Sequence, residues 1–152
     1  MTEEDVSYYL GTLAGSSDND RAISLQNLAK YPTGDPRVLE ALEKLLDDKT
    51  PCLLQIPYRF GEMRLLAAAA LAAERWAAGD QRPVRLHTTI PITSDQLDEL
   101  RQAAKVDRPA YKGDVIAAEL RLFALLRERR FLPEVDLELR HPVHIGWIDS
   151  GE

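Results

Sequence analysis

The chain has 152 residues, 45% hydrophobic and 29% charged, with a formal net charge of -6, which describes one globular domain able to bury a core without staples and excludes a disordered chain. The acidic excess repels a phosphate backbone, so nucleic acid is a poor partner. Cys52 is the single cysteine, the N-terminus MTEEDVSYYL is acidic, and the most apolar run is interrupted by Glu62, Arg64, Glu74 and Arg75; no intrachain disulfide, secretory signal or membrane span is expected, and a reducing cytoplasm fits best.

Thr2, three residues before Asp5, offers a capping box, and Val6, Tyr9, Leu10 and Leu13 share a face, so the spacing predicts a helix over 2–13. Gly15, Ser16 and Ser17 break it, and Asp18, Asn19 or Asp20 can cap a second helix over 20–31 with Ala22, Leu25, Leu28 and Ala29 inward. Pro32 and Gly34 stop that helix. Asp35 followed by Pro36 opens a third, whose stripe of Val38, Leu39, Leu42, Leu45 and Leu46 is the cleanest amphipathic pattern in the chain.

Periodicity stops over 49–60, where Pro51 and Pro57 bracket a connector or a short apolar excursion. Residues 62–78 then combine Ala, Leu, Met, Glu and Arg, the best helix formers, with a face of Leu66, Ala69, Ala70 and Ala73. Such small side chains gain stability only through close contact on both sides, so this is the inner helix around which the rest is organised.

After Gly79 the period changes to two: Val84, Leu86, Thr88, Ile90 and Ile92 alternate with Arg85, His87, Thr89 and Pro91, predicting an extended edge segment. Thr93 and Gln96 form a second capping box ahead of a helix ending near Val106, and Asp114 caps a helix over 115–130 after a loop holding Pro109 and Gly113. Val135, Leu137 and Leu139, then Val143, Ile145 and Trp147, suggest two short strands about an Arg140-His141-Pro142 bend, able to pair with 84–92.

A weak internal echo links the two halves. Arg21 opens a helix leading to Gly34-Asp35-Pro36-Arg37-Val38, and about 45 residues later Arg64 opens one leading to Gly79-Asp80-Gln81-Arg82-Pro83-Val84. In these residues, and in the second-helix form VLEALEKLLDD, the chain resembles the HEAT-repeat family of bacterial type, over roughly its first half. The resemblance implies a mainly α fold, an α-α superhelix of stacked helix pairs; the alternating segments add a small extended or β portion in the second half. Together with the chain length they predict one domain over 1–152, with repeat-like helices over 1–79 and a divergent capping region over 80–152, where VRLHTTIPIT departs from the family's expected partner helix. A curved surface for binding another protein, without intrinsic chemistry or cofactor, is the implied activity. DNA glycosylases and chromophore lyases have similar helical repeats, but the former need a basic face this acidic chain lacks, and no residue here matches the latter.

Chemistry-bearing motifs are few. No phosphate loop, nucleophile elbow, HExxH or CxxC occurs. His141 and His144 are better read as a turn and a strand residue than as a metal pair, since Pro142 stands between them. Asp47 and Asp48 read as a solvated helix end, and Arg127, Arg129 and Arg130 as cations complementing a helix dipole. The densest mixture of aromatic and charged groups is Tyr58, Arg59, Phe60, Glu62 and Arg64, the candidate partner-binding residues. Two other readings stand beside this adaptor: a small acidic inhibitor of immunity type that binds a basic partner, and a ligand-binding protein or enzyme with a pocket near Tyr58, Trp76 and His87.

Overall fold

A computed structural model describes residues 2–55, 59–108 and 114–140. Among them, six helices and five strands follow one another as α1 (Glu3–Leu13), α2 (Asp18–Lys30), α3 (Pro36–Lys44), β1 (Pro51–Gln55), β2 (Arg59–Glu62), α4 (Met63–Ala77), β3 (Val84–Thr89), β4 (Ile92–Thr93), α5 (Ser94–Ala103), α6 (Val115–Glu128) and β5 (Glu134–Leu139). The strands form two small antiparallel sheets, ordered β1-β2-β4 and β3-β5. This is a mixed α+β fold. It overturns the expectation of a mainly α superhelix of stacked helix pairs: after α4 the chain builds strands where a superhelix needs another helix.

The point of divergence is local. Gly34 and Gly79 both adopt positive φ, 73° and 76°, which costs glycine nothing. In each case the next residue, Asp35 or Asp80, accepts from the amide of Arg37 (2.8 Å) or Arg82 (3.0 Å), whose guanidinium folds back on the same carboxylate. The two turns are thus the same device. Pro36 follows its aspartate directly and occupies the first helical position, whereas Pro83 stands three residues after Asp80, holds Arg82 out of the helical region and leads into Val84.

Helix α4 is the centre of the molecule. Every residue from Met63 to Glu74 is buried. Helices α2 and α3 and strand β3 all pack against it, so the inner helix is enclosed, with a pleated ribbon among its neighbours instead of helices alone. Helix α2 runs beside α4 in the same direction. At their N-terminal ends Arg21 bonds Asp48 (2.6 Å), whose carbonyl accepts from the Arg64 amide (2.8 Å). Beyond their C-terminal ends the buried Glu74 accepts from the Thr33 amide (2.6 Å), the Thr33 hydroxyl (2.9 Å) and the Gly34 amide (2.8 Å). A charged side chain inside the core is tolerated there because three donors replace its water.

The 49–60 stretch, expected as a connector or a short apolar excursion, contributes β1 and the start of β2, which pair antiparallel as a hairpin. One side, with Cys52 and Leu54, joins the core around α1–α4. Phe60, with Leu53 and Ile92 beside it, belongs to a second core with Leu97, Leu122, Phe123, Leu126 and Leu132 from α5, α6 and beyond. The extended run expected over 84–92 is divided between the sheets: β3 pairs with β5 in register from Val84 opposite Leu139 to Thr89 opposite Glu134, and Ile92 pairs with Phe60. The capping boxes at Thr2 and Thr93 and the caps at Asp35 and Asp114 form as read, while Ser17 caps α2 one residue ahead of the expected set. The possible strand over 143–147 and the loop at Pro109 and Gly113 lie outside the described residues.

Candidate functional site

Glu62 ends β2 and stands at the N-cap of α4, so its position is fixed by a strand and a helix at once. It is 0% exposed and Arg64 only 4%. Arg64 Nη2 donates to Glu62 Oε1 at 2.7 Å and its Nε at 3.1 Å. The same oxygen lies within reach of the Thr89 amide (3.2 Å), the Thr89 hydroxyl (3.1 Å) and the Thr88 hydroxyl (3.3 Å). One oxygen does not accept five full hydrogen bonds, so the short Arg64 contact dominates. On the other oxygen, Arg127 Nη1 donates to Oε2 at 2.9 Å and also reaches the Lys49 carbonyl.

Burial pushes the Glu62 carboxyl up, but the Arg64 and Thr89 hydrogen bonds and the Arg64 charge outweigh it and hold the group below the usual carboxylate range. Glu62 is therefore an anion held between two guanidinium groups, one from its own helix and one from the end of α6.

From this centre the charges continue outward. Arg64 Nη2 also donates to Glu134 Oε1 at 3.1 Å. The second oxygen of Glu134 lies 2.8 Å from His87 Nε2, and His87 Nδ1 lies 2.7 Å from Asp136 Oδ1. Cross-strand register produces this ladder: His87 faces Asp136 and Arg85 faces Glu138, with Arg85 Nε 3.1 Å from Glu138 Oε2. Val84, Leu86 and Leu139 turn into the core while Arg85, His87, Glu134, Asp136 and Glu138 form an outer row. Both ring nitrogens of His87 lie within hydrogen-bond distance of carboxylates, and the Asp136 hydrogen bond holds its pKa above the ordinary value.

Among the described residues, two concavities border this row. One, of about 580 Å³, is lined by Lys49, Arg127, Glu128, Arg130, Leu132 and Glu134. The other, of about 520 Å³, lies over the ribbon between Arg85, His87, Asp136 and Glu138. Among the described residues, no group of three or more His, Cys, Asp or Glu is arranged to hold a metal ion, and no helix is long and apolar enough to cross a membrane. Cys52 is buried, and that burial pushes its thiol pKa up.

The candidate contact residues fare differently from one another. Phe60, Glu62 and Arg64 are buried and serve the interior, Arg59 is half-buried, and Tyr58 lies outside the described residues. Of the pocket expected near Tyr58, Trp76 and His87, Tyr58 lies outside the described residues, Trp76 stands exposed in the last turn of α4, and His87 lies on the outer row of β3. Asp48, read as solvated, is half-buried and bonded by Arg21 and Thr50. Arg127, read as a solvated helix end, reaches the buried Glu62 instead. Glu134 and Asp136 were missed as site residues. Their signal was the matching period of two, basic on β3 and acidic on β5, which has meaning only once the strands are paired. No family model, curated protein or solved structure matches the chain.

Proposed function

We propose that the chain is a cytoplasmic protein-interaction module that binds a partner with a basic contact surface through the outer row of the β3–β5 ribbon. The observation that carries this reading is the outward row of Glu134, Asp136 and Glu138 along β5, with the hollow over the ribbon opening between Asp136 and Glu138. All three outward residues of β5 are acidic, the Asp136 side chain is 90% exposed, and the chain as a whole carries -6. A surface of that sign steers a cationic partner and rejects an acidic one. Affinity then comes from a Lys or Arg side chain seated in the hollow over Leu86 and Leu137, between Asp136 and Glu138. The buried Glu62–Arg64–Arg127 cluster serves this surface by fixing Glu134 from behind.

The test is capture of partners from the native cells with the wild-type chain and with an Asp136→Lys, Glu138→Lys variant. A basic protein held by the wild type, released by moderate salt and absent from the variant supports the reading. A partner retained by the variant, or cross-linked to α1–α3, overturns it.

The volume of the cavity beside Arg127 favours a second reading, a small-molecule site, since about 580 Å³ is within the range of ligand pockets. A compound that survives purification and raises the melting temperature of the wild type but not of Arg130→Ala would establish that reading.

A further inference from the structure

A neutral imidazole carries a single N–H. Of two carboxylates set against its two nitrogens, one is then hydrogen-bonded and the other faces a lone pair, so only the imidazolium satisfies both. His87 stands in that position, 2.7 Å from Asp136 and 2.8 Å from Glu134. We propose that His87 is a proton-operated clasp: the doubly protonated ring ties the first residues of strand β5 to β3, and loss of one proton frees Glu134 toward the cavity at the end of α6.

The surroundings decide which carboxylate leaves. From β5, the ring meets Asp136 and Glu134. Behind Glu134 stands Arg64 of α4, backed in turn by Glu62 of β2 and Arg127 of α6. The next outward residue on β3, Arg85, is already paired with Glu138. Glu134 thus keeps a second cation when the ring lets go, whereas Asp136 pairs with no other cation among the described residues. The last proton therefore stays on Nδ1 against Asp136. The lone pair on Nε2 faces Glu134 and repels it, and Glu134 already borders the cavity shared with Lys49 and Arg130. One proton thereby changes the charge available in that cavity and the pairing of the two strands together.

Long-range nitrogen NMR of the histidine ring across about pH 5 to 9 reads this directly, with the His87 signals assigned by their loss in His87→Gln. The expected record is an inflection above that of free imidazole, both nitrogens protonated below it and Nδ1 alone protonated above it. Asp136→Asn lowers the inflection. Hydrogen-exchange protection of residues 135–139 falls through the same inflection, by about tenfold for each unit that it exceeds the free value, and loses this step in His87→Gln. An inflection at the free value, an inflection indifferent to Asp136→Asn, an Nε2-protonated ring at high pH, or β5 protection without the step would each overturn the proposal.

Discussion

Replacing Glu62 by Gln removes one charge and almost no volume from the point where two sheets, α4 and α6 meet. The new amide presents either its oxygen or its NH2 to Arg127 Nη1, which stands 2.9 Å from Oε2. If the oxygen turns that way, the NH2 faces Arg64 at 2.7 Å instead. One guanidinium therefore meets a donor in either orientation. Removing one member of a buried ion pair costs about 3–5 kcal/mol. Two features place this case at the low end: Arg64 keeps Glu134, and the Arg127 side chain is 22% exposed and retains some water. We expect a loss of about 3 kcal/mol, equivalent to roughly 6–12 °C in melting temperature for a domain of this size. Urea denaturation at neutral pH measures it, with an unchanged m-value as the check that the native state is intact. Combined with Arg64→Met, the cycle should show a coupling of about 1–3 kcal/mol. Because the folded-state pKa of Glu62 is held below its unfolded value, its charge stabilises the fold above the unfolded value and that contribution is lost as pH falls through the folded one. The variant should lack that part of the acid limb. A cost below about 1 kcal/mol would refute the reasoning, since it would mean that water already solvates the cluster.

Glu74→Ala leaves the Thr33 and Gly34 amides without their buried acceptor and should cost about 3 kcal/mol while speeding proteolytic cleavage between α2 and α3. Gly61→Ala places a methyl 2.6 Å from Leu54 Cδ1 inside the hairpin; a loss of about 1–3 kcal/mol is expected by denaturation. Arg130, at φ 62°, ends α6 in a conformation that suits glycine, so Arg130→Gly should raise stability by about 1 kcal/mol, and Lys105→Gly (φ 54°) at the end of α5 similarly. Calorimetry of both variants separates a backbone gain, seen in each, from a loss of cavity charge, confined to Arg130.

What could be read from the sequence was whatever depends on near neighbours. The capping boxes at Thr2 and Thr93, the Asp35–Pro36 entry and the central place of the Ala-rich helix follow from local spacing, and the structure contains them. The β1–β2 hairpin was invisible for a physical reason. Period-two alternation marks a strand with one wet face, and here Cys52 and Leu54 serve one core while Leu53 and Phe60 serve the other, so both faces are apolar and the alternation vanishes. Glu62, Arg64 and Arg127 were assigned to the surface by residue type, because their burial depends on partners up to seventy residues apart in sequence. The expected stacking of helix pairs stops after α4: the turn at Gly79 matches the turn at Gly34, but past Pro83 the chain continues as strand β3.

That two-faced hairpin makes the molecule indivisible. Detaching α5 and α6 would bare Phe60 and Leu53; detaching α1–α3 would bare Leu54 and Cys52 on the reverse. Neither fragment is left with a water-compatible outer skin, so each would clump with its own kind before it could persist alone. The chain should therefore melt as one cooperative block, and recombination that shuffles its ends as separate cassettes should yield insoluble products.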